Sequence, residues 1–599
     1  MEKIRKIHWR TGINRIKKSN VWLAAGINLV FLLSILLFCD IKYETSDDFL
    51  MASIMSGAFG GEPNPHMIFI NIIWGYILLP FYYLNSHISW YLIAQILLCF
   101  ASCTIFSYML LEKSDKKPAV LLIVLLLTFF ADDVYVLVQF TKTAVLAVMA
   151  GGAVFMWALA ENKTKKLKIF SALLCLLGTM VRFNTIFLAG GFLTILIISE
   201  TLIFFKDKHN NWKKRLLGFF LPGLLLIGAA VGIRQIDQAI YNSDEEYKYF
   251  REYNAARAAI VDASDYGYEA YREELEKIGI SENDYLLLRS WNFADNEVFS
   301  LEVMEKAAQI ISDYKENVEI SKEAILEGMQ ERQYFNYPGC IAFVILFVLT
   351  AAWGNRYFWA GLPAAGMGVL YLIYFFVIER VVYRTEFGIF LCMFLCLCFF
   401  WGKNPEGRKG HNVEITRICA IITLVCVIMQ SILYIPDRSY LDVTEESRKD
   451  YIEETFFESW NYDARKYRKV VNKNVPANGL IEEIESNKQN FYFLDFQTTM
   501  QTLYYEWNPF YTLPEEYFQN SLYFASIMTN YPECIKTLSR YHAEQPLKAL
   551  ANDNVYLVDS DTRTLQWKIT YLQEHYYPDA RAELYKEIDG YQIWKIYTE

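Results

Sequence analysis

Residues 21–39 read VWLAAGINLVFLLSILLFC and contain no charged side chain. About 20 mostly apolar residues are needed to cross the hydrocarbon core of a bilayer, so this run predicts a first transmembrane helix. The basic segment 1–20 precedes it, and no small-residue cleavage site follows at Cys39-Asp40. We therefore expect a retained helix rather than a cleaved signal peptide.

Apolar runs of the same kind recur along the chain of 599 residues, of which 54% are hydrophobic. Together with the first run they predict an α-helical polytopic membrane protein with about eleven transmembrane helices. The further runs lie at residues 90–111, 118–131, 140–160, 168–182, 184–205, 216–233, 339–353, 358–377, 387–402 and 418–435. The run 67–84 is also long enough to span, but a span there would invert every later loop. We expect it to be re-entrant or interfacial.

Short basic loops orient these helices, because cytoplasmic loops carry an excess of Lys and Arg. The basic residues fall in the alternate loops 1–20, 112–117, 161–167, 206–215, 354–357 and 403–417. This pattern predicts a multi-pass protein of the cell membrane with a cytoplasmic N-terminus and an extracytoplasmic C-terminal domain. If 168–205 were one span, the basic stretch KDKHNNWKKR at 206–215 would lie outside, which favours two helices there.

The topology divides the chain into five parts. They are a basic cytoplasmic N-terminus at 1–20, a transmembrane module at 21–233 with its first outer loop at 40–89, an extracytoplasmic helical insertion at 234–337, transmembrane helices at 338–435, and an extracytoplasmic α/β domain at 436–599. Helical periodicity marks the insertion, and short β-like runs such as FYFL at 491–494 mark the last domain. The acidic excess lies in these two outer parts. No concentrated basic face suggests nucleic-acid binding.

An acidic pair, Asp47-Asp48, follows the exit of the first predicted helix. A sugar on a lipid phosphate presents its reactive carbon at the membrane surface, where a carboxylate can take the proton of an acceptor hydroxyl. Cationic groups are then needed to stabilise the leaving phosphate. The alternative is a solvated helix start that is capped by Ser46 or Asp47.

A second acidic pair, Asp132-Asp133, ends the third predicted helix on the same outer face. Lys142 follows within the next apolar run, and an ionisable residue at membrane depth is a functional candidate because its burial is costly. The alternative is that Asp133 and Lys142 pair with each other.

Several arginines complete the predicted outer site. An arginine suits phosphate because its planar guanidinium can bind two oxygens at once. The alternatives are anchoring to anionic headgroups and pairing with Glu379 or Glu386. The arginines at the outer turns are Arg182, Arg234, Arg380 and Arg384.

Glu62 and His66 belong to a turn-rich stretch, EPNPH at 62–66, in the first outer loop. They are candidates for acceptor binding or for a structural role. A divalent metal held by Asp47, Asp48 and His66 is left open, because no ligand spacing argues for it specifically.

The basic N-terminus, the first helix and an outer loop with an acidic pair resemble the GT-C superfamily of membrane glycosyltransferases, including uncharacterised Gram-positive bacterial members. The resemblance covers mainly residues 20–205. It implies that Asp47 or Asp48 matches the first-loop catalytic acid and that Asp132 or Asp133 matches the second-loop acid. Many members carry Asp-Glu or Glu-Asp where this chain has Asp-Asp, and the insertion at 234–337 has no counterpart that we can name.

The resemblance implies an inverting transferase that moves a sugar from a polyprenyl-phosphate carrier to an extracytoplasmic acceptor, which is a cell-wall polymer, a lipid or a protein. Asp48 is the preferred base and Asp47 its substitute. Asp132 or Asp133 would orient a substrate, while Arg182, Arg380 and Arg384 would bind the phosphate. Lys142 and Arg234 are further candidates for binding the donor. The rival hypotheses are a transporter or flippase of lipid-linked or anionic substrates, which would need ionisable groups near the bilayer midplane, and a non-catalytic surface-polymer assembly protein.

Overall fold

The computed structural model describes residues 19–39, 41–206, 212–318, 320–352, 358–401, 421, 425, 478–495, 498, 508–524, 527–559 and 562–599. Several predictions fall outside these residues. They concern the basic segment up to residue 18, the inner loops 354–357 and 403–417, most of the eleventh span at 418–435, and the tail from 436 to 477.

The described residues up to 242 are mostly helical, apart from the first outer loop and short turns. Its helices are α1 (Asn20–Phe38), α2 (Ser46–Ser56), α3 (Ile72–Leu84), α4 (Trp90–Lys113), α5 (Lys116–Ala131), α6 (Phe140–Ala160), α7 (Lys165–Val181), α8 (Thr185–Lys206) and α9 (Trp212–Asn242). A π-helix, Asp132–Val136, extends α5. The break between α7 and α8 confirms the prediction of two helices in 168–205.

The insertion and the helices that follow it are also formed from the segments with helical periodicity. The insertion contains α10 (Glu245–Val261), α11 (Arg272–Lys277), α12 (Glu282–Arg289), α13 (Leu301–Glu316) and α14 (Lys322–Glu331). The apolar runs after it form α15 (Pro338–Ala352), α16 (Phe358–Val377) and α17 (Tyr383–Phe400).

Among the described residues, seven helical segments are long and apolar enough to cross a membrane, by length and composition. They are Asn20–Phe38, Trp90–Lys113, Lys116–Val136, Phe140–Ala160, Thr185–Leu202, Leu216–Asn242 and Tyr383–Phe400. Shorter apolar helices occupy Pro338–Ala351 and Gly361–Val377, and α7 has 17 residues. These helices are compatible with a membrane protein, and the count of eleven spans stays a prediction.

The apolar run 67–84 forms a short helix rather than a full span. Helix α3 has 13 residues and contains Pro80. At 1.5 Å per residue it is about 20 Å long, which is less than the ~30 Å thickness of the hydrocarbon core. Its length is short for a span, and its re-entrant or interfacial placement stays a prediction.

Two short strands tie the first outer loop to the segment after the π-helix. Strand β1 (Lys42–Tyr43) pairs in parallel with β2 (Leu137–Val138), with Tyr43 opposite Val138. The Glu44 amide extends this pairing by donating to the Val138 carbonyl at 3.0 Å. The loop that carries the first acidic pair is thus held directly against the start of α6.

The C-terminal part contains a small sheet, as predicted. Its helices are α18 (Asn478–Ser486), α19 (Pro532–Ser539), α20 (Pro546–Ala549) and α21 (Thr562–His575). Its strands are β3 (Phe491–Leu494), β4 (Ser521–Tyr523), β5 (Val555–Val558), β6 (Arg581–Ile588) and β7 (Tyr591–Tyr597). Their order is β4-β3-β5-β7-β6, in which β4, β3 and β5 are parallel and β7 is antiparallel to both of its neighbours.

The first outer loop, the insertion and the C-terminal part pack against one another as one layer. Phe59 of the first loop stacks on Phe518 at 4.6 Å between ring centroids. The Asn64 amide donates to the hydroxyl of Tyr247 in the insertion at 2.7 Å. The Tyr571 hydroxyl donates to Asp295 at 2.9 Å, which joins the C-terminal part to the insertion. This layer therefore lies at the end of the helical bundle that carries the first acidic pair.

Candidate functional site

Asp48 is an internal carboxyl group that holds the first outer loop in place. It belongs to the first turn of α2, where the positive end of the helix dipole favours acidic groups. The side chain is fully buried. One of its oxygens accepts from the Tyr91 hydroxyl at 2.8 Å, the Gln95 amide at 3.0 Å and the Phe140 backbone N–H at 3.1 Å. Burial raises the pKa of Asp48 to about 8, so the group is protonated at neutral pH.

Asp47 has a different environment, although it is the neighbouring residue. Its side chain is half-buried. Burial raises the pKa of Asp47, and the positive charges of Arg384, Arg182 and Arg257 act in the opposite direction. Asp47 is therefore the member of the acidic pair that lies in the field of several arginines, and its pKa stays above the ordinary value for an aspartate.

The arginines around Asp47 come from separate elements. Arg182 follows α7, and its guanidinium lies 5.5 Å from the ring centroid of Phe69 and 5.3 Å from that of Phe140. Burial lowers the pKa of Arg182 to about 10. Arg384 is in the first turn of α17, and Arg380 precedes that helix. The structure thus brings Asp47, Arg182, Arg380 and Arg384 to the ends of α2, α7 and α17.

Arg257 and Asp262 also belong to this set of side chains, which we call the Asp47 group, and neither was predicted from the sequence. Arg257 is on α10 of the insertion and is 3% exposed, and its guanidinium donates twice to the Asn254 side chain, at 3.0 and 2.7 Å. Asp262 follows α10 and lies 3.1 Å from Arg380. The sequence feature that could have indicated Arg257 is its position as the single charged residue among the small apolar residues of NAARAAI, 254–260.

The second acidic pair belongs to a buried ion network. The Lys142 ammonium lies 2.8 Å from Asp133 and 2.7 Å from Glu44. The Tyr383 hydroxyl donates to the other oxygen of Asp133 at 3.0 Å. Pairing of Asp133 with Lys142 was one of the two alternatives, and the structure contains that pair. Asp132 begins the π-helix next to this network and is half-buried.

Glu379 and Glu386 have partners other than Arg380. Glu386 lies 3.1 Å from Arg332 and accepts from the hydroxyls of Tyr334 at 2.8 Å and Tyr337 at 3.1 Å. Glu379 accepts from the Ser264 hydroxyl at 2.8 Å. The pairing of Arg380 is with Asp262, in the insertion.

Arg234, His66 and Glu62 have environments of their own. Arg234 stacks on the Phe183 ring, 4.4 Å from its centroid. His66 stacks on Tyr247 at 3.8 Å between centroids, and burial lowers its pKa to about 4. Glu62 is exposed. His66 therefore belongs to the contact between the first loop and the insertion.

The structure does not bring Asp47, Asp48 and His66 together as ligands of one metal ion. Within the described part of the chain, three metal-ligating side chains come together at Asp284, Glu574 and His575, and Asp47, Asp48 and His66 form no such group. The Asp47 group offers the carboxylates of Asp47 and Asp262 beside guanidinium groups, which suits the binding of an anion and the acceptance of a proton.

Comparison with protein-family models, with curated proteins and with solved structures gave no match for this chain.

Proposed function

We propose that the chain is a membrane glycosyltransferase that moves a sugar from a polyprenyl-phosphate carrier to a hydroxyl group outside the membrane. The observation that carries this proposal is the position of Asp47 in the field of Arg384, Arg182 and Arg257, at the ends of apolar helices. A lipid-linked sugar has its phosphate at the surface of the bilayer. A carboxylate and several guanidinium groups at that height supply a base and an anion-binding site together.

In this mechanism the acceptor hydroxyl attacks the anomeric carbon in one displacement. Asp47 takes the hydroxyl proton as the new carbon–oxygen bond forms. The bond from the anomeric carbon to the phosphate oxygen breaks, and its electron pair leaves with the polyprenyl phosphate. Arg182 and Arg384 stabilise the negative charge that develops on this leaving group. The raised pKa of Asp47 makes it a stronger base than an ordinary aspartate.

Asp48 was the preferred base in the sequence, and its environment supports a different role. A general base must reach the proton that it removes. Asp48 is buried and already accepts from Tyr91, Gln95 and Phe140. We therefore assign the base to Asp47 and treat Asp48 as the anchor that fixes the first turn of α2.

The test compares wild type with Asp47→Asn and Asp48→Asn in purified, detergent-solubilised chain. Each of a panel of polyprenyl-phosphate sugars is added without a further acceptor, so that water accepts the sugar. The release of polyprenyl phosphate is measured. We expect Asp47→Asn to lower turnover about 10²- to 10⁴-fold, which is the usual contribution of a general base. Asp48→Asn reproduces the protonated carboxyl group in shape, so it is expected to retain turnover within about tenfold. Equal turnover of wild type and Asp47→Asn would refute the assignment.

A further inference from the structure

Asp262 connects two arginines that come from different parts of the chain. One of its oxygens lies 3.5 Å from the Arg257 guanidinium, and the other lies 3.1 Å from the Arg380 guanidinium. The carboxylate thus stands between α10 of the insertion and the turn before α17. A carboxylate and a phosphate use the same paired oxygens to bind guanidinium groups.

Arg257 is positioned before any ligand binds. It is 3% exposed, and Asn254 and the ring of Trp291, 4.6 Å away, fix its guanidinium. A buried arginine is costly unless a negative group compensates its charge. Asp262 supplies that compensation, with 19% of its side chain exposed, while Arg380 is 48% exposed. An external anion can therefore reach this position through the exposed side of Arg380 and the exposed part of the Asp262 carboxylate.

The electrostatics link this pair of arginines to the Asp47 group. The charges of Arg257 and Asp262 both act on Asp47, and the charges of Arg380 and Asp262 both act on Arg182. The charges of Asp47 and Asp262 likewise both act on Arg257. The Asp262 carboxylate between Arg257 and Arg380 is therefore close enough to the proposed base for their charges to interact.

We propose that Arg257 and Arg380 form a binding position for the phosphate of a lipid-linked donor, and that Asp262 occupies this position when the donor is absent. The inference rests on the proposed function and extends it, because it makes the insertion a part of the donor site. Donor binding then displaces the Asp262 carboxylate from the two guanidinium groups. The internal carboxylate competes with the phosphate and lowers its apparent affinity.

The sign of the effect of Asp262→Asn separates this role from a structural one. If the carboxylate competes with the ligand, its removal strengthens phosphate binding. If the carboxylate only holds the loop and its arginines in place, its removal weakens binding. A carboxylate that occupies the position about 90% of the time lowers the apparent affinity about tenfold, so a gain of about tenfold is expected.

The experiment measures binding of undecaprenyl phosphate to the purified full-length chain in detergent by tryptophan fluorescence. The variants are Asp262→Asn, Arg257→Gln, Arg380→Gln and the control Asp265→Asn. Asp265 is in the same loop but accepts from the Tyr285 hydroxyl at 2.6 Å and lies 3.4 Å from Arg289, away from Asp262's partners. We expect tighter binding for Asp262→Asn, at least tenfold weaker binding for each arginine variant, and no gain for Asp265→Asn.

A parallel titration with inorganic phosphate identifies the source of the ligand. The proposal requires that undecaprenyl phosphate gains affinity in Asp262→Asn and that millimolar inorganic phosphate competes with it only weakly. A gain confined to inorganic phosphate overturns the assignment to a lipid carrier. If wild type binds undecaprenyl phosphate and Asp262→Asn binds it equally or more weakly, the present inference fails alone. If wild type does not bind the lipid phosphate at all, the proposed function fails with it.

Discussion

The Lys142 ammonium lies 2.8 Å from the Asp133 carboxylate, and these side chains are only 1% and 2% exposed. The same ammonium lies 2.7 Å from Glu44, three residues before Asp47. Tyr383, the residue before Arg384, donates to Asp133. This buried lysine therefore joins the loop that carries the proposed base to the helix that carries a proposed phosphate ligand.

Replacement of Lys142 by methionine is expected to destabilise the chain strongly. The change leaves the buried carboxylates of Glu44 and Asp133 without their cation, which typically costs about 3–5 kcal/mol. Thermal unfolding in detergent, followed by circular dichroism, measures the effect. The control is Lys163→Met. Lys163 is 28% exposed and pairs with Glu161 at 3.0 Å, so about 0–1 kcal/mol is expected. Equal losses in the two variants would show that the Lys142 network does not stabilise the fold.

The pKa of Asp48 predicts how stability depends on pH. The folded-state pKa of about 8 lies above the value of about 3.9 for an unfolded chain, so the folded state keeps a proton that the unfolded state loses. The stability contributed by this group is therefore present at low pH and is lost as the pH rises from about 4 to 8. We expect the melting temperature of wild type to fall between pH 6 and pH 9 by more than that of Asp48→Asn. If the melting temperatures of wild type and Asp48→Asn change equally with pH, Asp48 is not the group responsible for the pH dependence.

The helices were the part of the fold that the sequence predicted well. Apolar runs such as 140–160 and 90–111 correspond to α6 and α4. A long apolar run is visible in the local sequence, so such helices can be predicted without knowledge of tertiary contacts. The basic loop at 206–215, which follows α8, favoured two helices rather than one in 168–205, because basic residues are concentrated in cytoplasmic loops.

The details of the site depend on contacts between distant residues, which no local pattern records. The pair Asp47-Asp48 looks symmetric in the sequence. Only the positions of Tyr91, Gln95 and Phe140 make Asp48 internal. Arg257 was overlooked because its link to Arg380 runs through Asp262, and Arg380 lies far along the chain, in the turn before α17.

The contact between the insertion and the C-terminal part contains a histidine whose pKa is raised. The His575 ring nitrogen lies 2.9 Å from the buried carboxylate of Asp284, and this hydrogen bond is the main cause of the raised pKa. A histidine with a raised pKa stabilises the folded state below its unfolded pKa of about 6.5, and this contribution is lost as the pH rises through the folded value. The contact of α12 with α21 is therefore expected to loosen in mildly alkaline buffer.

Hydrogen–deuterium exchange of α12 and α21 tests this expectation in EDTA, which removes any cation from the Asp284, Glu574 and His575 group. Protection in both helices, corrected for the intrinsic exchange rate, should decrease between pH 6 and pH 8.5 in wild type. His575→Gln should lower protection at pH 6 by about 1 kcal/mol and remove most of its pH dependence. The exposed His87 provides the control His87→Gln, which should behave as wild type. If protection still depends on pH in His575→Gln, a group other than His575 causes the effect, because this variant no longer has the titrating side chain that binds Asp284.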